Sequence, residues 1–219
     1  MDGELGIIMQ SSIITMEHAL DRLSQIKPSS AKKIEIYAER CYHDFMNPAI
    51  ISWWQNNRDD KDIVRSITRP FYDLVHSCSI PTGLITKTAF EKVQQNKKFK
   101  PTKDHCFRPQ NTYHCMLDNH KNFCEFSTFR NWFVMCCSTI LVIRNENERL
   151  SLEGIDNRRG SYIVKVTTDQ QYISAGIDLY SYSEEHAWKD KTLKLESNLI
   201  VAPQELLEYE KKFAPGIII

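Results

Sequence analysis

Apolar positions recur every three or four residues through most of the first hundred residues, and that spacing predicts helices. Ile13, Met16, Leu20, Leu23 and Ile26 form one stripe. Pro28-Ser29-Ser30 breaks it, with Ser30 as a capping residue for the next helix. Ile34, Ala38, Cys41 and Phe45 form a second stripe, and Ile50 to Gln55 continues as an apolar patch holding Trp53 and Trp54. Asp59 or Asp60 is placed to cap a third helix through Ile63, Ile67, Phe71, Leu74 and Val75, which Pro70 kinks or divides. Pro81-Thr82-Gly83 reads as a turn and Thr86 to Gln95 as a short helix.

The texture changes after Pro101. Asp104 to Phe107 reads as strand or loop, Ser127 to Cys137 as an apolar helix, and Thr139 to Ile143 as a β-branched strand. A helix begins at Glu146. Asn157-Arg158-Arg159-Gly160 is a turn before a strand over Tyr162 to Thr167. A short helix and then a strand are expected over Gln170 to Leu179, and a terminal helix over Pro203 to Phe213. The expectation is an α+β protein, with a helical region over 1–100 and a mixed region over 101–219.

Composition narrows the function classes. Lys+Arg and Asp+Glu number 28 each, and this balance argues against wholesale coating of nucleic acid. Basic charge is local instead: Lys97, Lys98, Lys100 and Lys103 lead into Asp104-His105 and are candidate contacts to a phosphate backbone. No signal-peptide pattern opens the chain, no apolar run approaches a membrane span, and seven cysteines then read as reduced thiols. The expected setting is the cytoplasm or nucleus of a cell, without secretion or membrane insertion. Neither a glycine-rich phosphate loop nor a Gly-x-Ser-x-Gly elbow occurs, so no nucleotide cofactor is expected.

The residues with the clearest chemical promise are Asp104 and His105 at the end of a short strand, with Asn147 just after a second strand. A carboxylate and an amide oxygen suit a hard divalent cation. An imidazole suits removal of a proton from water near neutral pH. Cysteines and histidines also crowd the same region. His114, Cys115, His120 and Cys124 have the residue types of a structural Zn2+ site, although no Cys-x-x-Cys knuckle occurs; the plainer reading of Asn111 to Lys121 is a polar loop.

Thr102-x-Asp104-His105, then Arg108, then Glu146-Asn147-x-x-Leu150, then Tyr172-x-x-Ala175-Gly176-Ile177-x-Leu179 resembles the HNH (ββα-metal) endonucleases of tailed phages and large DNA viruses. The likeness covers roughly residues 100 to 180. It implies a ββα-metal-like core with peripheral strands, and a DNA endonuclease using Mg2+ or Mn2+. By that resemblance His105 is the general base, Asp104 and Asn147 are metal ligands with Asn145 as the near competitor, and Arg108 binds phosphate. Ser138 stands near the place where the family carries a middle Asn that orients the His. The alternative is a non-catalytic nucleic-acid- or protein-binding module on the same scaffold.

Overall fold

The computed structural model describes residues 14–96, 98–152, 155–157, 162–164, 172, 175–181, 194–195 and 200–213. Four helices come first: α1 (Met16–Gln25), α2 (Pro28–Phe45), α3 (Pro48–Asn56) and α4 (Lys61–His76). Their starts follow from local chemistry. The Thr15 hydroxyl caps α1 through His18 N, Asn47 caps α3 through Ala49 N, and Asp60 caps α4 through Asp62 N and Ile63 N. The first helix ends at Gln25, ahead of the expected break at Pro28-Ser29-Ser30, but Ser30 does not cap the next one: Pro28 is the first residue of α2, where its missing N–H costs nothing. Pro70 lies inside α4 without ending it; it is exposed, so the carbonyl that loses its donor can face solvent.

A five-stranded mixed sheet follows, built from β1 (Ile80–Thr86), β2 (Thr102–His105), β3 (Ser138–Val142), β6 (Leu179–Ser181) and β7 (Lys194–Leu195). The spatial order is β2-β3-β1-β6-β7. β1 and β3 run parallel, and the other neighbours run antiparallel. The segment Pro81-Thr82-Gly83 is no turn: it lies within β1, at the centre of the sheet. The register with β3 slips between Pro81 and Ile85, and Gly83 has φ 83°. An irregularity there accommodates both a proline without N–H and a left-handed residue inside a central strand. β4 (Ile155–Asn157) and β5 (Tyr162–Val164) form a separate antiparallel pair.

Helices fill the connections. α5 (Lys87–Gln95) joins β1 to β2, while α6 (Pro109–Asp118), a 3-10 turn (His120–Phe123) and α7 (Phe126–Cys136) join β2 to β3. α8 (Arg144–Leu152) leaves β3 directly, and α9 (Gln204–Phe213) is the last described helix. The main core draws on both sides of residue 100: Phe45, Trp54, Phe71, Ile80, Phe107, Phe129, Phe133, Ile140 and Leu206 belong to one buried cluster. A smaller cluster of Ile85, Ala89, Phe90 and Ile143 lies under α5. No helix among the described residues is long and apolar enough to cross a membrane.

Candidate functional site

β2 and β3 are paired in antiparallel register, with Asp104 opposite Ile140 and His105 opposite Thr139. Opposed residues share a face of the sheet and successive ones alternate. Ile140 belongs to the main core, whereas Leu141 packs against the small cluster under α5. Asp104 therefore points into the main core.

Each is sealed: Asp104 and His105 are both 4% exposed. One Asp104 oxygen accepts a hydrogen bond from Arg108 Nη1 at 2.9 Å, and the other accepts from the Tyr172 hydroxyl at 2.5 Å. Arg108 immediately precedes α6, so the chain turns back at the strand end and brings its guanidinium over the carboxylate four residues earlier. Burial works against the Arg108 charge, but Asp104 and then Tyr172 outweigh it and hold the guanidinium firmly protonated. Burial, then the Asp104 charge, pushes the Tyr172 phenol well above its usual range, so it stays a donor.

His105 has different neighbours. Its Nε2 lies 3.3 Å from the Cys78 carbonyl, its ring centroid lies 4.4 Å from that of His76 on the last turn of α4, and Nδ1 meets no hydrogen-bond partner among the described residues. Burial, then His76, pulls the His105 pKa down to about 4, against the opposing pull of the Cys78 carbonyl and Asp104. The ring is neutral at pH 7. The Ser138 hydroxyl does not orient it: that side chain is fully buried and makes no hydrogen bond among the described residues, while its carbonyl accepts from Cys106 N at 3.2 Å.

The fit of a divalent cation to Asp104 is poor in this arrangement. Each carboxylate oxygen already accepts a hydrogen bond, and a cation there would meet the like charge of Arg108, whose Nη1 is 2.9 Å from Oδ1. Asn147 lies half-buried in the first turns of α8, a helix that touches β2, and Asn145 is exposed one residue after that helix begins. The buried acidic residue at this helix start is Glu146. Its Oε2 accepts from Thr86 Oγ1 at 2.6 Å and from Ile143 N at 3.0 Å. Thr86 Oγ1 in turn accepts from Ala89 N at 3.2 Å. One carboxylate thus ties together the starts of α5 and α8, where the two parallel strands end. Glu146 carries a sequence signal, an acidic side chain four residues past the strand. Tyr172 stands in one of the motifs of the resemblance, but nothing in the sequence signals its pairing with Asp104, 68 residues away.

The cysteine and histidine group divides. His120 Nδ1 and Cys124 Sγ are 3.8 Å apart, and His120 Nε2 meets the Phe45 carbonyl at 3.2 Å. His114 packs its ring on Trp54 at 4.9 Å, and Cys115 Sγ meets the Glu205 carbonyl at 3.7 Å. Among the described residues no three His, Cys, Asp or Glu side chains gather as a metal site. The four expected zinc ligands are drawn apart by α6, which turns His114 and Cys115 toward α3 and α9.

Of the basic run, Lys98, Lys100 and Lys103 are exposed, and Lys97 lies outside the described residues. β2 is an edge strand of the sheet, and Lys103 lies on it. Searches against protein-family models, curated proteins and solved structures find no match to this chain.

Proposed function

We propose that this chain is a non-catalytic nucleic-acid-binding module on a ββα frame. It acts inside the cell and meets DNA through the basic approach to its edge strand. The observation that carries the non-catalytic half is the closed Asp104-Arg108-Tyr172 set: a carboxylate with both oxygens committed serves as a clamp. The DNA half is supported by Lys98, Lys100 and Lys103, which are exposed and make no ion pair with any described residue. Lysines of this kind exchange condensed counterions for phosphates without reading sequence. The test is fluorescence anisotropy with labelled duplex DNA over a salt series. Replacing the three lysines by Ala should weaken binding and reduce the salt slope by about 0.9 for each phosphate no longer neutralised. Undiminished affinity with an unchanged slope sinks the proposal.

The second reading is a divalent-metal-dependent DNA endonuclease of HNH-like type. It is supported by the chain order, in which β2 and β3 pair antiparallel and α8 follows at once and touches β2. It requires Asp104 to exchange Arg108 and Tyr172 for a cation. Plasmid incubated with Mg2+ or Mn2+ should stay intact on the first reading. Nicking that His105→Ala abolishes would establish the second.

A further inference from the structure

A groove of about 460 Å³ lies along α4, with Gln110 of α6 at its side; no lysine lines it, and it adjoins the Asp104-His105 region through Tyr72 and His76. Its volume falls in the range of small-ligand sites. Asp62, Arg65, Arg69 and Tyr72 of α4 line it together with Gln110. Arg65 and Arg69 are one turn apart and share a helix face. The Arg65 guanidinium has no hydrogen bond or ion pair among the described residues. Arg69 pairs with Asp73, but both are 52% exposed, and such a surface pair exchanges at little cost. The Tyr72 ring is occupied on its faces, by Arg69 at 5.1 Å and His76 at 3.9 Å, while its hydroxyl has no partner among the described residues.

We infer that this groove binds the phosphate of a nucleoside monophosphate, either free or at the 5′ end of a strand. Two guanidiniums on adjacent turns match the charge and the forked acceptor geometry of a phosphomonoester dianion. The Tyr72 hydroxyl supplies a further donor. Asp62 lies three residues before Arg65 and seven before Arg69, roughly 4.5 and 10 Å along the helix axis. That carboxylate repels a second phosphate and accepts from ribose hydroxyls or a base amino group at the far end of the ligand. The Gln110 amide, which can donate and accept, faces the same space. The spacing fits a mononucleotide better than inorganic phosphate, which would engage only the arginine end.

This site does not depend on the lysine surface, so its test is independent of duplex binding. Titration calorimetry of the full chain with AMP, GMP, CMP and UMP, with a 5′-phosphorylated dinucleotide and with inorganic phosphate reads it directly. Nucleotides should bind at least about tenfold more tightly than inorganic phosphate. Arg65→Ala/Arg69→Ala should lose that binding, and Arg65→Lys/Arg69→Lys should recover only part of it, because an ammonium lacks the fork. Thermal melts of each variant separate lost binding from lost folding, since both arginines lie on the surface. Tighter binding of the dinucleotide identifies a strand end as the ligand, and tighter binding of the monomers identifies a free nucleotide. Absent nucleotide binding, parity with inorganic phosphate, or full affinity in the double alanine variant would overturn the inference.

Discussion

Replacing Tyr172 by Phe removes one hydroxyl and leaves a buried ring of nearly the same volume, so it isolates the clamp from the core around it. The group removed donates a 2.5 Å hydrogen bond to a carboxylate in a 4% exposed position. A hydrogen bond to a charged group contributes about 1.5–3 kcal/mol. For a chain of this length each kcal/mol moves the melting midpoint by about 2–4 °C, so the expected drop is roughly 3–12 °C. Tyr180→Phe, at a half-buried position on β6, serves as the control and should stay within about 0.5 kcal/mol of wild type. Arg108→Met is the severe counterpart, because it strands a buried carboxylate, and about 3–5 kcal/mol is expected. Since both partners address one carboxylate, the double variant should depart from additivity by about 0.5–3 kcal/mol. Urea unfolding followed by circular dichroism measures all of these proteins. If Tyr172→Phe shifts no more than the Tyr180 control, the carboxylate is not clamped and Asp104 is again open to a metal.

Acid should destabilise the protein through its buried histidines. Burial lowers His105 to about 4 and His114 to about 3, both below the unfolded value near 6.5, so the unfolded chain binds more protons in that window. Their contribution is complete above about pH 6.5 and is lost as pH falls toward 4 and below; urea midpoints from pH 4.5 to 7.5 should show His105→Gln flattening that slope, and an identical slope would count against a sealed ring. Thr86→Val should cost about 1–3 kcal/mol, because it leaves Glu146 one partner short at 4% exposure; a neutral result by the same unfolding assay would mean the two helix starts are not joined there. Elemental analysis of the purified chain should find no stoichiometric zinc, since the expected ligands face different neighbours; one zinc per chain would show that His120 and Cys124 recruit ligands from outside the described residues.

What could be read from the chain was whatever rested on local chemistry. The stripes of α1, α2 and α4, the β-branched strand at β3 and the terminal helix follow from periodicity and caps. α6 did not show itself, for a physical reason. Asn111 to Leu117 are buried without interruption, so the helix has no polar face and no period to detect. Its polar residues mimic a loop, yet it packs against α3, α4 and α9 on several sides. β1 was hidden by the opposite effect: Pro81 and Gly83 carry the strongest turn signal in the region, and the sheet absorbs both through a register slip.

At the candidate site, residue types and spacing left more than one arrangement open. Asp-His-x-x-Arg places a carboxylate, an imidazole and a guanidinium near one strand end, and those groups serve a metal centre or a clamp equally well. Strand alternation gives Asp104 and His105 different neighbours, Arg108 and Tyr172 for the carboxylate and the Cys78 carbonyl and His76 for the ring. The start of α6 then folds Arg108 back onto Asp104. The deciding group is the third partner. A water or a ligand on the free carboxylate oxygen would leave the site open to metal, whereas the Tyr172 phenol, held neutral by burial and fixed just before β6, closes it. Because that hydrogen bond spans 68 residues, the partner that Asp104 takes was set by the tertiary fold and not by the motif.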